Sequence, residues 1–102
     1  MEYFNAIAAL AALAHATRLD IFRLLIRHNP SGLPVSGIAE HVSVPPATLS
    51  FHLSHLQRSG LLKSRRESRQ IIYTADYALM TTLIGFLTEN CCQDGKQNTN
   101  SD

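Results

Sequence analysis

Pro46-Ala47-Thr48-Leu49-Ser50-Phe51-His52-Leu53-Ser54-His55-Leu56-Gln57-Arg58-Ser59-Gly60, followed without a break by Leu61-Leu62-Lys63-Ser64-Arg65-Arg66, decides how this chain is read. Leu49, Leu53 and Leu56 recur at spacings of four and three, which places them on one stripe of a helix. Pro46 suits the first helical position because its missing N–H costs nothing there, and Gly60 is a C-terminal stop, so a helix is predicted from about Pro46 to Ser59. Away from the leucine stripe this helix presents Thr48, Ser50, Phe51, His52, Ser54, His55 and Arg58. These side chains are mostly short or hydrogen-bonding, a set suited to base edges and phosphates.

The residues that follow read as two strands, Leu61 to Arg66 and Arg69 to Thr74, joined by a tight turn at Glu67-Ser68. Five of the nine Lys and Arg residues (Arg58, Lys63, Arg65, Arg66, Arg69) fall within twelve positions whose single acid is Glu67. A strong local positive field therefore survives a formal net charge of only +1. Such a cluster alone is equally a solvated turn. Its position directly after a helix with a polar outer face favours phosphate contact.

Upstream, Phe4 to Arg27 contains no Gly or Pro and is helical in composition. Two helices are predicted, with the break near His15-Ala16-Thr17 and Thr17 as the cap of the second. The first is apolar on nearly every side, so in a chain this small something else must cover it, and a second copy is the economical candidate. After the breaker run Asn29-Pro30-Ser31-Gly32-Leu33-Pro34, Ser36 is expected to cap a short helix with Ile38, Ala39 and Val42 on its apolar face. The turn Ser43-Val44-Pro45-Pro46 then leads into the helix quoted above. A last helix, about Tyr77 to Asn90, carries Met80, Leu83, Ile84 and Leu87 on one face. The tail from 93 to 102 is polar and expected to be disordered.

A chain of 102 residues accommodates one domain. The expected fold is mainly α with a small β-hairpin: a dimeric winged helix-turn-helix in the order helix, helix, helix, helix, strand, strand, helix, occupying residues 1–92. Polar residues interrupt every apolar run before the ~18 residues a membrane span needs, and the start lacks the basic region of a signal peptide. The chain is therefore read as cytoplasmic, with no membrane partner. No nucleophile beside a base, phosphate loop or metal motif is visible, so it is read as not an enzyme.

The wording of several segments resembles the ArsR/SmtB family of metal- and metalloid-responsive repressors. Leu13-Ala14-His15-Ala16-Thr17-Arg18-Leu19-Asp20-Ile21-Phe22 is similar to the start of that family's second helix, Thr48 to Leu56 to its recognition helix, and Ser59-Gly60-Leu61-Leu62 with Arg65-Arg66-Glu67 to its wing. The resemblance implies a homodimer built on the first and last helices and a double-stranded DNA operator with dyad symmetry. Candidate DNA contacts are then Pro46, Thr48, Ser50, Phe51, His52, His55, Arg58, Arg65, Arg66 and Arg69. Candidate dimer contacts are Phe4, Ile7, Leu10, Leu83 and Leu87. Phe51 stands where the family usually carries a polar or basic residue, which leaves an apolar contact to a thymine methyl as its role.

The family's ligand sites are matched only in part. Leu33-Pro34-Val35-Ser36 contains no thiol where the founding metalloid site has cysteines, and no His follows His55, which removes the zinc site of the last helix. The only cysteines, Cys91 and Cys92, are neighbours in sequence and staple no part of the fold. Leu87-Thr88-Glu89-Asn90-Cys91-Cys92 resembles the ending of family members that sense trivalent arsenic or antimony. Soft metalloids favour thiolate sulfur, and neighbouring thiolates chelate with little ordering cost. No cofactor is expected to be permanently bound; the resemblance implies a trivalent arsenical, inorganic or methylated, or antimony as inducer at these two residues. A redox-responsive repressor, an inert cysteine pair, and a protein-interaction module without its own operator stay open at this stage.

Overall fold

A computed structural model describes residues 1–94. It comprises α1 (Tyr3–Leu13), α2 (Ala16–Arg27), β1 (Leu33–Pro34), α3 (Val35–Ala39), α4 (Pro46–Arg58), β2 (Leu62–Glu67), β3 (Gln70–Ala75) and α5 (Tyr77–Thr88). The architecture is the expected winged helix-turn-helix. The sheet is antiparallel in the order β1-β3-β2, with Leu33 opposite Tyr73 and Arg65 opposite Ile72.

Several local expectations are corrected. His15 rather than Thr17 caps α2, its Nδ1 accepting the Thr17 N–H at 3.2 Å. Pro34 rather than Ser36 precedes α3, and no side chain caps that helix. The hairpin turn falls one residue later than predicted, at Ser68-Arg69, with Ser68 in the left-handed region at φ 56°. The short strand β1 was not anticipated. Gly32 enters it at φ 79°, and a Cβ there would stand 2.5 Å from the Tyr73 carbonyl oxygen, so glycine alone lets β1 lie against β3. Of the polar tail, Gln93 and Asp94 continue the turn after α5, and the rest of that expectation lies outside the described residues.

The largest fully buried side chains are Ile21, Leu25, Ile38, Leu49, Leu53, Leu56, Leu61 and Leu83, drawn from α2, α3, α4, α5 and the approach to β2. The flanking helices contribute much less. α1 buries only Ala6, Ala9 and Ala12, because small side chains every third residue let it lie close to the body while Phe4, Ile7 and Leu10 point outward. In α5 only Leu83 is buried. Leu83 is thereby corrected as a candidate dimer contact: its side chain is in the chain's own core, whereas Ile84 and Leu87, also on α5, are more than half exposed.

Candidate nucleic-acid interface

α4 is anchored from below by Leu49, Leu53 and Leu56, which leaves Ser50, Phe51, Ser54 and Arg58 fully outward and Thr48 and His55 half-buried. Pro46 is exposed at the first position of the helix, and no side chain caps the first turn. Its free backbone N–H groups and the positive end of the helix dipole are therefore available to a phosphate. Phe51 is 60% exposed and meets the His55 ring edge-on at 6.3 Å, an apolar surface in the middle of a polar stripe.

His52 is corrected. It is not on the outer face but 6% exposed, with Arg18 Nη1 donating to its Nδ1 at 3.2 Å and the His15 ring 4.7 Å away. The physical reason is visible in the spacing. His52 lies three residues after Leu49 and four before Leu56, inside the stripe that the leucines define. Burial, with the nearby His15, Arg18 and His55, holds its pKa below the ordinary histidine value of 6.5. His55 is lowered too, first by desolvation and then by Arg18, Arg58 and His15. Both rings are thus biased toward the neutral form, which donates and accepts rather than adding charge.

The hairpin is joined to α4 by Gln57 Nε2 donating to Ser64 Oγ at 2.8 Å. Side chains alternate across a strand, so Arg66 shares the face of Ser64, the face turned to α4. Arg65 lies on the other face and is already engaged: it bonds Glu67 Oε2 and the Ser31 carbonyl, each at 2.7 Å. Lys63 stands 3.9 Å from Asp76. Arg66 and Arg69 are exposed and make no ion pair among the described residues. The free positive charge of the hairpin thus sits at its tip and on the side facing α4.

These residues compose a surface of hydrogen-bonding side chains, one aromatic and unpaired guanidinium groups on a helix and an adjoining hairpin. The helix-turn-helix domain family matches residues 13–65, from the end of α1 into β2. The transcriptional activator HlyU of Vibrio cholerae is 30% identical over 89 residues, spanning 87% of this chain and 80% of HlyU. Its solved structure superposes with a TM-score of 0.70 at 29% identity over 91% of this chain and all of HlyU. An ArsR-like transcriptional regulator from a Rhodococcus species superposes with a TM-score of 0.79 at 26% identity, covering 91% of this chain and 85% of that one.

The chain belongs to the ArsR family of winged helix-turn-helix transcriptional regulators. The transcriptional repressor BigR of Xylella fastidiosa matches with a TM-score of 0.64 at 27% identity over 84% of this chain and 85% of BigR. As an ArsR-type regulator the chain is DNA-binding through its helix-turn-helix, α3 and α4. No helix among the described residues is long and apolar enough to cross a membrane.

Cys91 and Cys92 are both exposed in the turn after α5, and their sulfurs are bonded to each other, with Cys92 at φ 67°. The pair closes no loop between elements, being separated by one position. Among the described residues no group of three or more His, Cys, Asp and Glu side chains assembles at a metal-binding distance.

Proposed function

We propose that this ArsR-type regulator is a homodimeric repressor that holds a dyad-symmetric operator through α4 and the β2–β3 hairpin, and releases it when a trivalent arsenical or antimonite binds Cys91 and Cys92. The observation that carries the operator half is the surface formed by Ser50, Phe51, Ser54 and Arg58 of α4 together with the unpaired Arg66 and Arg69 of the adjoining hairpin. Outward Phe4, Ile7 and Leu10 on α1, with Ile84 and Leu87 on α5, support the dimer: such a set of exposed apolar side chains is unusual on a monomer.

The inducer half is supported by the chemistry of the donors. Two adjacent thiols at the end of α5 can replace the two hydroxyls of a monomethylated trivalent arsenical, forming two As–S bonds as two waters leave while the methyl group keeps the third position; inorganic arsenite or antimonite needs a further donor. Because α5 also carries part of the exposed apolar face, a ligand at its end can bias how two chains pack, and so the separation of their two copies of α4. A second reading is favoured by two adjacent, exposed cysteines: their oxidation by an external oxidant in place of metalloid binding.

One titration separates these readings. Labelled operator DNA bound to reduced protein is challenged with methylarsenite, arsenite, antimonite, zinc and cadmium in a phosphine reductant, and separately with oxidant alone. Methylarsenite is expected to release the DNA from the wild type, and Cys91→Ser and Cys92→Ser each to abolish the response while leaving operator affinity nearly unchanged. Release from the double Ser variant would place the inducer site elsewhere. Release by oxidant but by no metalloid would establish the redox reading instead.

A further inference from the structure

α4 is held from behind by a polar contact in an otherwise apolar core. Arg18, 9% exposed, donates from Nε to the Ala12 carbonyl in the last turn of α1 at 2.7 Å and from Nη1 to His52 Nδ1 at 3.2 Å. A guanidinium only donates, so His52 Nδ1 is the acceptor and the ring is neutral with its hydrogen on Nε2. One buried side chain on α2 thereby joins the end of α1, which carries exposed apolar side chains, to the middle of α4, which carries the outward polar ones. The groups facing His52 are Arg18 from α2, His15 from the α1–α2 junction and His55 from α4 itself, with Arg58 acting on His55; α1 contributes only the Ala12 carbonyl. All the groups that shift these two rings are basic side chains.

We propose that Arg18 and His52 are positioning residues for operator recognition: the bond between them passes the seating of α1 to α4, and protonation of His52 releases it. The inference rests on α4 being the helix that reads the operator. A proton on Nδ1 replaces the acceptor by a second donor and sets two positive groups within hydrogen-bond distance in a buried site, an arrangement that cannot persist without movement. Burial and the surrounding His15, Arg18 and His55 keep His52 neutral at ordinary pH. The sign follows from that lowered pKa. The released or unfolded chain takes up the proton more readily than the native one, so the contact is fully present above pH 6.5, stability begins to fall below that pH, and the contact is lost as the pH falls through the lowered value of the native ring.

The test measures binding of wild-type protein, His52→Asn and Arg18→Met to two duplexes, one selected by the wild type from a random-sequence library and one of unrelated sequence. Each is recorded between about pH 8 and pH 5.5, with a melting curve in each buffer. Asn places an oxygen acceptor near the Nδ1 position and does not titrate. The wild type is expected to lose part of its ratio of selected to unrelated affinity toward pH 5.5, by at most about tenfold, the ceiling for one proton taken up one pH unit below 6.5. His52→Asn should hold the ratio nearly constant, and Arg18→Met should show a low ratio at every pH. Taking the ratio cancels the general gain in phosphate affinity that His55 and other surface histidines acquire in acid. A merely structural role would lower the melting temperature and leave the ratio unchanged, and that result overturns the proposal. So does a His52→Asn variant that follows the wild type across pH. If the wild type selects no duplex at all, the operator reading itself fails and this inference with it.

Discussion

α4 and α5 are nearly the same length and equally free of charged residues in their apolar stripes, yet α4 buries Leu49, His52, Leu53 and Leu56 while α5 buries only Leu83. The first helix is completed by its own chain. The second ends up with Tyr77, Ile84 and Leu87 more than half exposed, and α1 repeats the pattern with Phe4 at 70%. The difference separates two jobs: α2, α3, α4 and the sheet, covered within the chain, present a polar surface, while α1 and α5 each give one side to the core and leave an apolar side exposed.

The largest expected effect lies in the completed region. Leu53 is 1% exposed, so Leu53→Ala should cost about 2–5 kcal/mol of unfolding free energy, read by denaturant melts of the reduced protein. Leu87→Ala, at 56% exposure, should change the stability of the isolated chain by no more than about 0.5 kcal/mol. Equal losses at the two positions would erase the contrast.

Next comes the contrast in assembly. Leu87→Glu and Ile7→Glu should leave the fold intact by circular dichroism yet shift sedimentation at micromolar concentration from dimer to monomer, because a carboxylate at a closed apolar interface is strongly disfavoured. Leu83→Glu should instead unfold the chain. If Leu87→Glu remained dimeric, the exposed face of α5 would not be the seam.

The smallest effect is expected in the hairpin. Arg66→Ala and Arg69→Ala should each lower the salt dependence of DNA binding by about 0.9 in the log–log slope, with little change in sequence preference. Arg65→Ala should change it less, since Arg65 is tied to Glu67 and Ser31. An Arg65 effect equal to that of Arg66 would mean that those bonds open on the DNA.

Features carried by neighbouring residues were legible in the sequence. Pro46 and Gly60 bracket α4, whose predicted bounds agree with the structure to within a residue; the last helix, expected from about Tyr77 to Asn90, starts at Tyr77 and ends at Thr88, and its Asp76 cap, which accepts from the Leu79 N–H, was not read from the sequence. Features that depend on distant partners were not. β1 is two residues long and exists only through its pairing with β3, about forty positions away. His52 was assigned outward by residue type although its spacing put it in the leucine stripe; its partner Arg18 lies 34 positions upstream. Leu83 was grouped with Ile84 and Leu87 because a stripe drawn on one helix does not show which edge its own chain covers. The engagement of Arg65 with Ser31, equally remote, was hidden in the same way.

In the proposed complex two copies of this chain, joined through α1 and α5, grip one operator with two copies of α4. Sedimentation equilibrium of the reduced protein with a duplex that it selects from a random library tests this directly. Two chains per duplex are expected, with a selected sequence of dyad-related half-sites about one helical turn apart. A complex of one chain per duplex, or a selected site without dyad symmetry, would contradict it.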